Sequence, residues 1–276
     1  MARPLGFMYA LGLDGLPKEI VVRGARYILD KEQKHDFWAG TGFYRKDEGL
    51  RMKDEAGNRP DSSFIPHPSS LPLRVVAKFN RQTSFLGLPL RWIGRWLRDR
   101  ERRAYAKLQD VPGIPALLGD ATDTGFVHEY IEGSPLHKGL ALADDFFPKL
   151  FTLIDTLNAR GIAYVDTNKP ENILLGDDGL PYLIDFQISV DASAWWPRWL
   201  GRKVLAIFYD ADIYHVLKQK RRFRPDLLTD AERKRLEHRT FLQQLHRAVG
   251  RPYFWIRRPV MRWLERSGRA EKRGSD

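Results

Sequence analysis

Apolar and polar positions along this chain change rhythm several times, and each change marks an element. Two short apolar runs, Ile20-Val21-Val22 and Tyr27-Ile28-Leu29, predict strands near the start. His35 to Tyr44 predicts a strand, a tight turn at Gly40-Thr41-Gly42 and a second strand. In Leu73-Arg74-Val75-Val76-Ala77-Lys78-Phe79 the two-residue period puts Leu73, Val75, Ala77 and Phe79 on one face and Lys78 on the other. Residues 90–108 switch to a helical period, with Leu97, Tyr105 and Leu108 on one stripe and Glu101 inside it. Pro112-Gly113-Ile114-Pro115 ends that helix, and strands are expected at 116–119 and 126–131. A second helix runs from Asp145 to Arg160, with Phe147, Leu150, Phe151, Ile154 and Leu157 apolar and Gly161 as its stop. Ile173-Leu174-Leu175 and Tyr182-Leu183-Ile184 flank Gly176-Asp177-Asp178-Gly179, the pattern of a hairpin. Thr229-Asp230-Ala231-Glu232 is a capping box, so a helix starts there.

Composition narrows the chemistry. With no cysteine, disulfides, thiolate metal sites and thiol nucleophiles are excluded, which fits a reducing compartment. No run of about 18 apolar residues exists to span a bilayer. The first residues lack the charged start and long apolar stretch of a signal peptide. Residues 45–72 are polar and rich in Pro, Ser, Asp and Gly, and read as a mobile loop.

Of 46 basic and 35 acidic side chains, residues 196–276 hold 21 and 9, so the whole net charge of +11 belongs to the C-terminal third. Such asymmetry points to an anionic partner, whether membrane lipid, phosphorylated glycan or nucleic acid, or else to a plain solvated surface. Trp and Arg mix at 91–96, 255–258 and 261–264. That mixture suits an anionic membrane surface, or equally core tryptophans with arginines stacked on them.

The hairpin carries the candidate chemistry. If Asp178-Gly179 is a two-residue turn, position 177 faces 180, 175 faces 182 and Asn172 faces Asp185, with Asp166 just upstream. Two acids and an amide then converge as oxygen ligands suited to Mg²⁺ or Mn²⁺. The plainer alternative is that Asp and Asn sit at strand ends because they favour turns. Glu101, an acid on an apolar stripe, needs a cation, and Lys78 or a neighbouring surface arginine could supply it. The bare backbone of Gly40 and Gly42 could approach phosphate, or could serve only a hairpin turn.

Asp166, Asn172, the hairpin and Asp185-Phe186-Gln187 together resemble the catalytic core of the protein-kinase-like superfamily. The closer likeness is to its atypical bacterial branch, the lipopolysaccharide-core (Kdo and heptose) sugar kinases, and to RIO-type serine/threonine kinases. It covers roughly residues 35–220. The resemblance implies an α+β, bilobal fold with an antiparallel-sheet N-lobe and a mainly helical C-lobe. It implies an N-terminal extension over 1–34, lobes at 35–131 and 132–266, and a disordered tail at 267–276.

It also implies roles. Asp166 would be the catalytic aspartate and Lys169 would meet the transferred phosphate. Asn172 and Asp185 would bind the metal. Lys78 would contact the α- and β-phosphates with Glu101 as its ion-pair partner. Gly40 and Gly42 would cover the nucleotide, and the backbone at Glu129 and Ile131 would meet adenine. Asp212 would brace the catalytic loop, or would equally be a surface helix acid.

Three departures stand out: Asp166 and Asn172 are six apart rather than five, Tyr164 stands in place of histidine, and Gln187 in place of glycine. No Ala-Pro-Glu follows, so control by phosphorylation there is not expected. The implied reaction moves the γ-phosphate of ATP, with Mg²⁺ or Mn²⁺, to a hydroxyl. The acceptor would be a glycolipid sugar or a protein, at a cytoplasmic site that could include the inner membrane face. A weakly active scaffold that holds nucleic acid or membrane through the basic tail is the rival reading.

Overall fold

The structure is a computed structural model and describes residues 6–47, 71–85, 87–193 and 195–237. The expected tail at 267–276, the Trp/Arg clusters at 255–264 and most of the polar loop at 45–72 lie outside the described residues. The chain divides into two compact units. Of the described residues, one holds those up to Asp99 together with Ala116–Tyr130, and the other holds Arg100–Pro115 and those from Ile131 onward. The class is α+β: an antiparallel sheet in the first unit, mainly helices in the second.

The first unit is built on six antiparallel strands: β1 (Glu19–Val22), β2 (Ala25–His35), β3 (Ala39–Lys46), β4 (Arg74–Asn80), β5 (Leu117–Thr122) and β6 (Gly125–Glu129), in the order β1-β2-β3-β4-β6-β5. Since β1 and most of β2 precede residue 35, the sheet begins inside the stretch expected to be an extension.

Two further expectations need correction. Gly40-Thr41-Gly42 is not a turn but lies within β3, paired with Phe79, Lys78 and Ala77 of β4. The turn is at Asp36, whose carboxylate accepts from the N–H groups of Trp38 (2.8 Å) and Ala39 (3.0 Å) and so mimics a backbone turn. The glycines are needed for packing. A Cβ on Gly42 would lie 2.8 Å from methyls of Leu16 and Leu29, and one on Gly40 would lie 3.3 Å from Leu11, Leu16 and His35. Leu73 also falls just before β4 and is exposed rather than facing inward.

The other positions of that face keep their reading. Val75, Ala77 and Phe79 join Ile20, Val22, Tyr27, Tyr44 and Val127 in one core. Each fully buried large side chain there stabilises the unit by about 1.5–3 kcal/mol.

Helix α1 (Arg91–Lys107) belongs to both units, changing over between Asp99 and Arg100. Its start is set by Gly94, where an added Cβ would lie 2.0 Å from the carbonyl oxygen of Arg81. Arg81 is itself fully buried. It donates to the carbonyls of Phe37 and Phe7 at 2.6 Å and stacks 3.8 Å from the Phe37 ring.

The second unit packs α2 (Phe146–Ala159) against α3 (Arg198–Phe223). Phe146, Phe147, Leu150, Leu153, Ile154 and Leu157 of α2 and Ile213, Val216 and Leu217 of α3 are buried. Gly161 ends α2 at φ 75°, with its N–H on the carbonyl of Asn158, as expected of a glycine stop. β7 (Gly133–Pro135), β9 (Ile173–Gly176) and β10 (Pro181–Leu183) form a small sheet in the order β10-β9-β7, and β8 (Ile162–Ala163) pairs with β11 (Val190–Asp191).

The 173–183 hairpin forms, but with a register one residue away from the expected one. Pro181 pairs with Leu175, Tyr182 with Leu174 and Leu183 with Ile173. Asp177, Asp178 and Gly179 make a three-residue loop: Gly179 donates to the carbonyl of Gly176 at 2.9 Å and takes a left-handed φ of 76°. Asn172 therefore faces Ile184, whose N–H meets its carbonyl at 3.1 Å, and Asp185 lies one step beyond. The capping box at Thr229 forms as expected and opens α4 (Asp230–Glu237): Thr229 N–H reaches Glu232 Oε2 at 2.8 Å, and Glu232 N–H reaches Thr229 Oγ1 at 3.3 Å.

Gly94→Ala tests the closest approach that seats α1. The methyl must push the Arg81 carbonyl away, so the sheet unit should lose about 1–3 kcal/mol, read as a lower urea midpoint. An unchanged midpoint would show that α1 is not held there.

Candidate active site

The second unit brings four of the expected residues onto one loop and the hairpin that follows it. Asp166 leads into two consecutive turns: Lys169 N–H bonds the Asp166 carbonyl (3.1 Å), and Asn172 N–H bonds the Lys169 carbonyl (3.2 Å). The second turn is the short 3₁₀ segment Pro170–Asn172. These turns fold back the chain between Asp166 and Asn172. Asn172 Nδ2 still donates to Asp166 Oδ2 at 2.7 Å, and Lys169 Nζ donates to the same oxygen at 2.6 Å.

Burial raises the Asp166 carboxyl above its ordinary range. Lys169 pulls it back, while Asp185 and Glu171 add to the rise. Asp185 is therefore close enough to be felt by Asp166, despite the shifted hairpin register.

The loop is held from below by α3. Asp212, 1 % exposed, accepts from Tyr164 N–H (2.9 Å), from Val165 N–H (2.9 and 3.1 Å to its two oxygens) and from the Thr167 hydroxyl (2.9 Å). Asp212 therefore braces this loop and is not a surface helix acid. Burial pushes the Asp212 carboxyl up to about 6, with the two N–H groups and the hydroxyl acting the other way. Two helical turns further on, Gln219 Nε2 donates to the carbonyls of Thr167 (3.2 Å) and Asn168 (2.9 Å). Val165 takes φ 72°, a conformation that a β-branched residue adopts only when its surroundings impose it.

Two tyrosines position the hairpin end. The fully buried Tyr164 hydroxyl donates to the carbonyl of Ile184 and, at 3.5 Å, to that of Asn172. The Tyr105 hydroxyl, from α1, receives the Asp185 N–H at 3.2 Å. Both rings stand edge-on to Phe186, with centroids 5.0 Å away. Asp185 itself has φ 63°. Further along, Arg100 donates to the carbonyls of Ile188 (3.3 Å) and Ser189 (2.5 Å).

These supports escape a reading based on motifs, apart from the Asp212 likeness. The remaining signal was two polar residues, Asp212 and Gln219, seven apart on an otherwise apolar helix face.

Of the other expected residues, Glu101 is fully buried on the part of α1 that groups with this second unit. Lys78 is 6 % exposed in β4 of the first unit. Gly40 and Gly42 lie in β3, where leucine methyls fill the space over them. Glu129 ends β6; its N–H donates to the Ala116 carbonyl at 2.8 Å, and its carboxylate accepts from the Ala116 N–H at 3.3 Å. Ile131 opens the return of the chain to the second unit.

Among the described residues, no group of three or more His, Cys, Asp or Glu side chains is arranged to hold a metal. One amide and one carboxylate, Asn172 and Asp185, fit a hard cation that takes its other ligands from water and phosphate.

No family model matches the chain, and no curated protein matches it. Among solved structures it is similar to the Rio2 kinase–ADP/Mg²⁺–phosphoaspartate complex from Chaetomium thermophilum. The likeness has a TM-score of 0.47 at 15 % identity, over 75 % of this chain and 68 % of that one.

Asp212→Asn should separate two effects. With a folded value near 6 against an ordinary one near 4, the folded chain holds this proton to higher pH than the unfolded chain. Stability from Asp212 therefore falls as pH rises between about 4 and 6, and the buried charge costs about 3 kcal/mol at neutral pH. Urea unfolding of wild type and Asp212→Asn should show wild type gaining about that much relative to the variant from pH 7 to pH 4. Amide exchange at Tyr164 and Val165 should quicken in the variant at every pH. A pH-independent difference, or unchanged exchange, would remove the brace.

Proposed function

We propose that this chain transfers the γ-phosphoryl group of ATP to an alcohol. One observation carries the reading: Asp166 is aimed by Lys169 and Asn172 converging on a single oxygen, on a loop pinned by Asp212. Phosphoryl transfer needs mainly alignment and charge neutralisation, and this set can provide both.

In this reading Asp166 orients the acceptor hydroxyl and takes its proton as the new O–P bond forms and the bond to the β-phosphate oxygen breaks, releasing ADP. A raised carboxyl is the better base near neutrality. Lys169, beside Asp166, offers positive charge to the phosphoryl oxygens. Asn172 and Asp185 would hold Mg²⁺ or Mn²⁺, which when bound neutralises phosphate charge. Lys78 and Glu101, a buried ionisable side chain in each unit, are read as the lysine for the α- and β-phosphates and the acid that orients it. Backbone at Glu129 and Ile131 is read as the adenine contact. Gly40 and Gly42 are left out of the nucleotide site, because leucine methyls take their bare faces.

For the acceptor we take a sugar hydroxyl on a lipid-linked glycan at the cytoplasmic membrane face, on the likeness of residues 164–187 to the sugar-kinase branch. The likeness to RIO-type kinases makes a protein serine or threonine the alternative.

Radiolabelled transfer from ATP–Mg²⁺ to a panel of glycolipid, peptide and protein acceptors tests the activity and sorts the acceptors. Asp166→Asn keeps the side chain's shape and should lower transfer by roughly 10²–10⁴-fold. Its nucleotide affinity by calorimetry should stay within about threefold. Asp185→Asn should instead lose the Mg²⁺-dependent part of that affinity. Wild-type rates in Asp166→Asn would end the proposal.

A further inference from the structure

An exposed ridge on the second unit is unused by the site above. It runs from Trp195 through the first two and a half turns of α3. Trp196 is 90 % exposed and Trp199 55 %, and Trp195, Leu200 and Ile207 are exposed as well. Trp199, Lys203 and Ile207 are four residues apart in turn and so share one helix face, with Leu200 beside them. The Lys203 ammonium lies 5.1 Å from the centre of the Trp199 ring. The ridge is held in place at its base: Gly201 is buried, and a Cβ there would lie 3.0 Å from the Trp195 Cβ and 2.8 Å from the carbonyl oxygen of Ala192.

Along the ridge itself the charge is of one sign: from Ala192 to Tyr209 the chain carries Arg198, Arg202 and Lys203 and no acid. The acids that bound this stretch, Asp191 and Asp210, are paired elsewhere, with Lys107 at 3.0 Å and Arg235 at 2.8 Å. Arg198, Arg202 and Lys203 have no ion-pair partner among the described residues. Arg198 and Arg202 also line a cleft of about 330 Å³ with Ser193, Gly161 and Leu205.

Large exposed apolar side chains in a contiguous patch mark an interaction surface. Three tryptophans interleaved with unpaired cations have the chemistry of the headgroup layer, where indole rings settle and cations meet anionic lipid. The charges also argue against two other covers. Residues 238–276 carry 10 basic and 3 acidic side chains, so this chain's own C-terminal segment would bring like charge to the ridge. A second copy docked ridge to ridge would do the same.

We propose that the Trp195–Ile207 ridge docks on an anionic bilayer, with the indoles in the headgroup layer and the Arg198/Arg202 cleft taking a lipid phosphate. The docking stands apart from phosphoryl transfer and is read without nucleotide, so either reading can fail alone.

The test is flotation of the full chain with phosphatidylcholine vesicles, with and without phosphatidylserine. Wild type should float with the anionic vesicles and stay behind with the neutral ones. Replacing Arg198, Arg202 and Lys203 together by Gln should lower partition by roughly a hundredfold. Trp196→Ala with Trp199→Ala should also release the chain, with the circular dichroism melt unchanged because both rings are exposed. Should the triple variant misfold, Trp196→Ala alone with quenching by brominated lipid decides instead: quenching seen in wild type should drop in the variant, and undiminished quenching would count against the ridge.

Binding that survives both variant sets would overturn the proposal, since the basic C-terminal segment would then be the anchor. Equal flotation with neutral vesicles would also overturn it. So would failure to float combined with retention of single-stranded RNA that the variants lose, which would assign the ridge to nucleic acid.

Discussion

A single buried carboxylate, that of Asp212, holds the arrangement together. Two adjacent backbone N–H groups and one hydroxyl converge on it from the loop that presents Asp166. Left in an apolar interior, such a charge would be driven to its neutral form. Left without it, the N–H groups of Tyr164 and Val165 would lose their buried acceptor. Each side supplies what the other lacks, and together they force Val165 into a left-handed conformation that its branched side chain resists. That twist turns the chain between the buried Tyr164 and the loop carrying Asp166, Lys169 and Asn172.

The hairpin end is set by a second device of the same kind. Tyr164 and Tyr105 send their hydroxyls to opposite sides of the Ile184–Asp185 peptide, one to the Ile184 carbonyl and one to the Asp185 N–H, with Phe186 between their rings. A phenol at position 164 is long enough to cross the core and bond the hairpin backbone directly. Since Tyr105 lies on α1, the placement of Asp185 also depends on that helix. Two turns in series fold the chain between Asp166 and Asn172, so that the amide reaches the Asp166 carboxylate.

Most strands and helices were legible because each has a clean period: two for the strand at 74–80, three to four for α1 and α2. Turns were less so. Asp178-Gly179 signals a two-residue turn, but the chain uses Gly179 for the left-handed position of a three-residue loop, and that one step moves Asn172 opposite Ile184. Gly40 and Gly42 signal a turn for the same reason, glycine's freedom, while the actual requirement is room for Leu16 and Leu29. Side chains that carry chemistry could be picked out by type and spacing. Those that hold them could not, because the bonds from Asp212, Tyr105 and Gln219 join residues about 50 to 80 positions apart, and no local period records such pairs.

The two exposed tryptophan clusters that the structure describes show how context separates residues of the same type. On α1, Trp92 and Trp96 are exposed, but Arg91 and Arg95 beside them are both drawn to Asp123 at 2.8–3.0 Å. One of their two charges is thereby offset within the molecule, which weakens the pull on an anionic partner. On α3, Arg198, Arg202 and Lys203 have no such acid to meet. Exposed ion pairs are weak, each worth about 0–1 kcal/mol, so Asp123 contributes little to stability. Its larger effect is on long-range attraction, which depends on net local charge. Similar Trp/Arg mixtures therefore differ in net charge, +1 for Arg91, Arg95 and Asp123 against +3 for Arg198, Arg202 and Lys203, and the second has the stronger field to draw a negatively charged surface.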